Sequence, residues 1–500
     1  MPRACGVDSR RADLGRASTG LGGEVVTSFA ADAPTPDVAT RATRLARSPH
    51  AVLAVSAILV LVCEGLRGAA TLDTSAVWPL LQALIASCGL LVAWLGRDRL
   101  RLTPILVLGA GFQLAWIFLH LRLGVAGDHD PVDVYPAQGD VLLHGDYPDS
   151  EYPPGAVALF ALETWLGGGA ARTTNALLMV PFQLVCVYAV WSLRTRWAPW
   201  LATVVALWPL NAFYWEFRFD LVPAAALAAG LALAWRERWY EAGFVLGLGT
   251  VVKWTPALAF VALLLWLLCR RKVERAGWHL AGFAIPLLVV NVPLLLWKPS
   301  EVVAAYTTQG ARTVTAESFV YLPLHLFWDA SPGYWYFGAA DVSDSANRAA
   351  VAFQLVVVAL VVVAAALART RASAVALAGL APAFFLLANR IFSPQFFVLV
   401  LVAVVVASAL TVRRPVELLA VMGACAVATT ADTVLFQTML GAQPVASEPR
   451  WFVVSVLTYV PVFAAGAWLV VRAVAVKGGP TTTTQPPQPS ARLNTVPASD

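Results

Sequence analysis

The sequence predicts an all-α polytopic membrane protein: a bundle of about 12–14 transmembrane helices with two extracytoplasmic loop regions. Three observations carry that expectation. The chain is 59% hydrophobic and 13% charged, with a mean hydropathy of +0.70. Apolar runs recur from Ala51 to Val471, many near the twenty or so residues that cross a hydrocarbon core of roughly 30 Å. Arginine clusters separate the runs in the pattern of cytoplasmic loops. A membrane barrel would show short alternating segments instead. The net charge of +5 resides in those clusters and leaves no nucleic-acid footprint. The six cysteines are scattered, so neither a disulfide framework nor a zinc site is suggested.

Met1–His50 lacks hydrophobic periodicity and reads as a disordered cytoplasmic tail; Arg41, Arg44 and Arg47 hold it inside. Ala51–Leu66 goes out, and Val77–Leu95 returns to Arg97, Arg99 and Arg101. These two spans occupy residues 51–102. Thr103–Leu121 goes out again and opens the first outer loop, residues 123–172. Pro154–Leu166 is apolar but short, with a Pro-Pro start and a three-glycine stop, and is expected to lie along the outer interface. Thr173–Leu193 returns to Arg194 and Arg196. Trp200–Tyr214 goes out, and Leu221–Trp235 comes back to Arg236 and Arg238.

Glu241–Leu268 is then one apolar run with basic residues at both ends. A single crossing would break the charge rule. Lys253-Trp254-Thr255-Pro256 resolves it: two short helices climb and descend, with Lys253 near the apex. Trp278–Trp297 leads to a second outer loop, residues 298–347, rich in aromatics (Tyr306, Tyr321, Trp328, Tyr334, Trp335, Tyr336). Ala349–Leu367 returns, Ala374–Ala388 goes out to the turn Asn389–Gln395, and Phe397–Thr411 returns to Arg413 and Arg414. Val416–Phe436 and Trp451–Val471 fill residues 412–476. Residues 477–500 are a Thr/Pro/Gln-rich disordered tail, so both termini are cytoplasmic.

This threading uses only basic clusters, yet it puts every unusual polar motif on one outer side. Gly127–Pro154 carries seven carboxylates, two histidines and three tyrosines, with no lysine or arginine. A carboxylate at a partly desolvated membrane edge can deprotonate a hydroxyl, and Asp128, Asp130 and Asp133 follow a span directly. The simpler reading is a solvated acidic loop. A divalent metal on Asp128, His129, Asp130 and Asp133 is a further option, although the spacing matches no standard loop. Lysine at the centre of a span costs about 2.5–3.5 kcal/mol, so Lys253 either meets a phosphate, pairs with Asp220 or Glu216, or snorkels to the surface.

Asp133-Val134-Tyr135, Gly145-Asp146-Tyr147 and Tyr152-Pro153-Pro154 resemble the first outer loop of the GT-C-fold glycosyltransferases that use polyprenyl-phosphate sugars, in particular glycosyltransferase family 87. Gly249–Pro256 resembles that family's Gly…Lys-x-x-Pro segment, and Asn389–Phe396 its Ser-Pro-Gln-aromatic turn. Arg218-Phe219-Asp220 recurs in related membrane transferases. The resemblance runs from about Thr103 to Thr411, a catalytic membrane core of residues 103–411.

The resemblance implies transfer of a hexose, mannose by family precedent, to a cell-envelope glycolipid or glycan on the extracytoplasmic face of a bacterial inner membrane. It gives the role of inverting general base to Asp133, with Asp130 competing for it. Lys253, Arg390 and Arg218 become donor-phosphate ligands. Tyr135, Tyr147, Tyr152, Asp220, Gln395 and His325 become substrate contacts. No cofactor is implied. Two other classes stay open: a lipid or sugar transporter, and a non-catalytic scaffold.

Overall fold

A computed structural model of the chain describes residues 48–69, 77–123, 130–210, 218–312, 314–315, 318–328, 343–439 and 449–475. Among these residues there is no strand, as apolar runs that must satisfy their own backbone groups require. The first half forms α1 (Pro49–Ala69), α2 (Val77–Leu95), α3 (Leu102–Leu123), α4 (Tyr135–Leu143), α5 (Pro154–Gly167), α6 (Ala171–Ser192), α7 (Ala198–Leu207), α8 (Leu221–Trp235) and α9 (Trp239–Val252). The second forms α10 (Pro256–Cys269), α11 (Val273–Trp297), α12 (Pro299–Ala311), α13 (Tyr321–Trp328), α14 (Asp344–Leu367), α15 (Arg371–Leu387), α16 (Phe396–Thr411), α17 (Pro415–Met439) and α18 (Pro449–Ala475). The all-α polytopic expectation holds.

Local chemistry sets many of the ends. Proline opens α5, α7, α10 and α12 within their first two positions, where its missing N–H leaves no helical bond unmade. Ser343 and Thr370 cap α14 and α15 by accepting from the N–H groups of Ala346 and Ser373. Both tails of the chain, residues 1–47 and 476–500, lie outside the described residues.

Among the described residues, eight helical segments are long and apolar enough to cross a membrane: α1, α2, α3, α5 with α6, α11, α14, α17 and α18. The segment expected to lie at the interface differs in one respect. A single turn of 3₁₀ helix, Gly168–Ala170, joins α5 directly to α6, and Pro154–Ser192 reads as one apolar stretch of 39 residues. Gly168 turns the chain there at φ 49°. Six more apolar helices, α7, α8, α9, α10, α15 and α16, are shorter, at 10–17 residues.

One end of the bundle is an arginine end. Arg236 donates to the Ser192 carbonyl at 2.7 Å, Arg270 to the Ala368 carbonyl at 2.5 Å, and the Trp197 indole to the Val412 carbonyl at 2.8 Å. Glu237 bridges Arg275 (2.6 Å) and Arg371. These contacts gather the ends of α6, α8, α10, α14 and α16 with the starts of α7, α9, α11 and α15. Arg194, Glu237 and Arg271 take left-handed φ values of 53°, 63° and 55° two residues past their helices. At the latter two, the next N–H closes back on the helix, from Arg238 to Leu233 and from Lys272 to Leu267, both at 2.9 Å.

That arrangement settles the path of the anomalous run. Both α9 and α10 meet the arginine end, so the chain climbs, breaks at Lys253–Thr255 and descends. All six short helices abut arginine-bearing turns at this end. At about 15–25 Å long, they stop short of a 30 Å core at the other end.

The sequence reading did not foresee a buried polar network among α1–α3. Glu64 is 2% exposed and accepts from Gln82 Nε2 at 2.6 Å and from Arg67 Nη2 at 2.5 Å, with His120 Nε2 at 2.7 Å. It ties the three helices together near their ends away from the Arg97–Arg101 turn. An acid inside an apolar run was the available signal.

Candidate active site

The end opposite the one gathered by Arg236, Arg270, Arg275 and Arg371 holds the described sequence motifs. Asp130–Val134 form a single wide π turn that leads into α4. Asp133 is exposed there, while Tyr135, two residues on, is buried. Pro136 opens α4, and Gly139 lets it lie directly on α5. A Cβ at Gly139 would stand 2.4 Å from the Phe160 carbonyl oxygen.

Tyr135 joins a box of four rings. It stacks on Phe160 with centroids 4.1 Å apart and planes 5° from parallel. Tyr152 and Phe219 close the box edge-on: Tyr135–Tyr152 and Tyr135–Phe219 are both 5.6 Å, Tyr152–Phe160 5.4 Å and Phe160–Phe219 5.3 Å. Such edge-to-face pairs are the preferred aromatic geometry. Arg218 Nη1 donates to the Tyr135 hydroxyl at 3.4 Å. Burial raises the Tyr152 phenol well above its ordinary value.

Lys253 sits in the break between α9 and α10. Its backbone is extended, Thr255 and Pro256 start the next helix, and α9 ends where the lysine leaves helical geometry. The ammonium pairs with the buried carboxylate of Asp220, which precedes α8. It also lies 4.3 Å from the Phe396 ring and 5.7 Å from that of Phe219. Gly155 brings the Tyr152-Pro153-Pro154 corner against this break; a Cβ there would be 2.5 Å from the Val251 carbonyl oxygen.

The turn Asn389–Gln395 is held from the second loop. Thr315 N–H donates to the Arg390 carbonyl at 2.8 Å, and Thr315 Oγ1 accepts from Phe392 N–H at 3.3 Å. Arg390 is 8% exposed, donates from Nη1 to Asn347 Oδ1 at 3.1 Å, and is shifted down from the usual guanidinium value by its burial. Gln395 is buried at the start of α16. Phe392 meets Phe396 at 5.6 Å, which links this turn to the ring under Lys253.

The two loops meet each other directly. Lys298 and Asp146 pair at 2.8 Å, and Arg312 pairs with Glu151. Tyr147, Val157 and Val302 form a small apolar cluster beneath them, and burial pushes the Tyr147 phenol up. The second loop contains α12 and α13, which the sequence reading left as irregular. In it Tyr306 is partly exposed and donates to Asn291 Oδ1 at 3.0 Å, whereas Tyr321 is buried.

The structure thus brings Arg218, Asp220, Lys253, Tyr135 and Tyr152 into one cluster, with Arg390 and Gln395 on the adjoining turn. Tyr147 stands apart, in the loop-to-loop contact. The side chains of Asp130, His325 and Trp328 lie outside the described residues, as do Asp128, His129, Glu216 and Tyr334–Tyr336. Among the described residues no three His, Cys, Asp or Glu side chains gather as a metal ligand set. Sequence reasoning missed Phe160, Thr315 and Asn347, whose parts in the site come from contacts between segments distant in the chain.

Residues 151–394 match the family model for Glycosyltransferase family 87. The matched segment takes in Tyr152, Arg218, Asp220, Lys253 and Arg390. It begins after Asp133, Tyr135 and Tyr147 and ends before Gln395, so it is narrower than the Thr103–Thr411 expected from the motifs. No curated protein matches the chain.

Proposed function

We propose, from the match of residues 151–394 to glycosyltransferase family 87, that this chain is a membrane glycosyltransferase and that it transfers a hexose, mannose first among candidates, from a polyprenyl-phosphate donor. The acceptor is a hydroxyl of a cell-envelope glycolipid or glycan, reached at the extracytoplasmic face of the plasma membrane, with both chain termini cytoplasmic. Asp133 accepts the hydroxyl proton while that oxygen attacks the anomeric carbon from the side opposite the phosphate. The bond from the anomeric carbon to the phosphate oxygen breaks, the configuration inverts, and the lipid phosphate leaves with the electron pair.

The observation that carries this reading is the grouping of Lys253, Arg218 and Arg390 at the end opposite the arginine end, inside the matched segment. Lys253 has three N–H donors; its bond to Asp220 leaves others for phosphate oxygens, where they offset the charge that grows on the leaving group. Arg218 and Arg390 add guanidinium donors suited to phosphate. Asp220 keeps the ammonium in place, and Tyr152 and Gln395 supply hydroxyl and amide groups for the sugar.

Membranes supplied with a labelled lipid-linked sugar test the assignment. Asp133→Asn is expected to abolish most transfer with insertion unchanged; full transfer by this variant removes Asp133 from the mechanism. Lys253→Met and Arg390→Met are expected to weaken donor use far more than acceptor use. Flipping of labelled donor without any transfer would instead favour the transporter reading, to which the broken helix at Lys253 also lends itself.

A further inference from the structure

We infer that Phe160 is a positioning residue that fixes the distance between the proton-accepting turn and the phosphate-binding cations. The inference rests on the proposed reaction. Phe160 carries no reactive atom, lies on α5 and is fully buried. It makes the closest and most parallel contact in the four-ring box, on Tyr135, at 4.1 Å and 5°. Tyr135 stands two residues beyond Asp133. Phe219, the residue between Arg218 and Asp220, closes edge-on against both stacked rings, at 5.3 Å from Phe160 and 5.6 Å from Tyr135, and its own ring lies 5.7 Å from the Lys253 ammonium.

The backbone around it has no slack. The Phe160 carbonyl accepts from Thr164 Oγ1 at 2.9 Å, and the same hydroxyl reaches the Pro136 carbonyl at 3.4 Å. The close approach at Gly139 holds α4 against the same carbonyl. The base-bearing turn is exposed, so its position depends on what Tyr135 is pressed against. A flat ring fixes both separation and tilt; an aliphatic side chain of similar bulk fixes neither. In a displacement that needs base, hydroxyl, anomeric carbon and phosphate in line, a shift of about 1 Å can cost about 100-fold in rate.

Phe160→Leu is the test, measured in full-length protein in membranes with labelled polyprenyl-phosphate mannose. We expect kcat to fall about tenfold or more, with the donor KM held within about threefold, because the cations remain in place. Added to Asp133→Asn, the same change should bring no further loss, since the base it positions is already gone. Phe260→Leu breaks a comparable stacked pair, with Phe283 at 3.6 Å, away from the site. It should lower thermal stability and leave kcat unchanged. If Phe160→Leu is not recovered folded, Phe160→Met is read in its place. A normal kcat in the folded variant, or losses that multiply with those of Asp133→Asn, overturns the inference. Full transfer by Asp133→Asn would overturn the reaction assignment instead, so the two failures are distinguishable.

Discussion

Lys253 and Asp220 form an ion pair across 33 positions of sequence, joining the break between α9 and α10 to the start of α8. The Asp220 side chain is 5% exposed and that of Lys253 19%, so the charges compensate each other largely away from water. Asp220→Ala leaves a mostly buried ammonium stranded, which costs about 3 kcal/mol. The expected result is a lower melting temperature in detergent. The double variant Asp220→Ala/Lys253→Met should recover most of it while remaining inactive. A double variant no more stable than the single one would show that the pair does not compensate.

The contact between the two loops should depend on salt and not on ordinary changes of pH. The hydrogen bond from Lys298 holds Asp146 below its ordinary value of 3.8, and Asp146 raises Lys298 above 10.5. A depressed carboxyl contributes stability above its unfolded value and loses it as pH falls through the folded one. A raised ammonium contributes below its unfolded value and loses that as pH rises through the folded one. Between the two the pair is fully charged. Protease protection of the first loop should therefore stay level from about pH 5 to pH 9 and fall as added salt screens the pair. A transition near neutral pH would assign the contact to some other group.

Gly155 and Gly169 make a matched comparison. A methyl group at Gly155 meets backbone, the Val251 carbonyl, whereas nothing stands within 4 Å of one at Gly169. Gly155→Ala should cost about 1–3 kcal/mol by overpacking and should reduce transfer by moving the Tyr152 corner off the lysine break. Gly169→Ala should fall within about 0.5 kcal/mol of the parent. Equal melting temperatures for the two variants would contradict the close approach.

Thr315 should matter through its hydroxyl. Thr315→Val removes the acceptor for Phe392 N–H and is worth about 1 kcal/mol. It should also raise the donor KM, because the turn it steadies carries Arg390. Thr315→Ser should restore both properties. A valine variant with parental KM and stability would mean that the turn is held elsewhere.

The helical class, the break at Lys253 and the grouping of motifs at one end were legible because each rests on local chemistry: apolar run length, proline, and basic clusters. The pairing of Lys253 with Asp220 was also within reach, since a lysine amid apolar helices needs a partner. Phe160 was not, because a phenylalanine in an apolar helix carries no sign of which rings it will meet. Thr315 and Asn347 were hidden for the same reason, being contacts of Arg390 made across 75 and 43 positions. By contrast α12 could have been read from Pro299 and Glu301, a proline and an acid in a first turn.

The short inner helices bear on how a lipid carrier is served. At 14 residues each, α9 and α10 rise only about 21 Å, less than the roughly 30 Å of a hydrocarbon core, which in the proposed orientation sets Lys253 below the far water line. The proposed polyprenyl-phosphate donor would then bring its head sideways to the lysine while its tail stays among acyl chains, with no desorption step. Turnover should accordingly follow bilayer thickness: thinner bilayers bring the donor's head closer to the lysine, and thicker ones force it to sink further first.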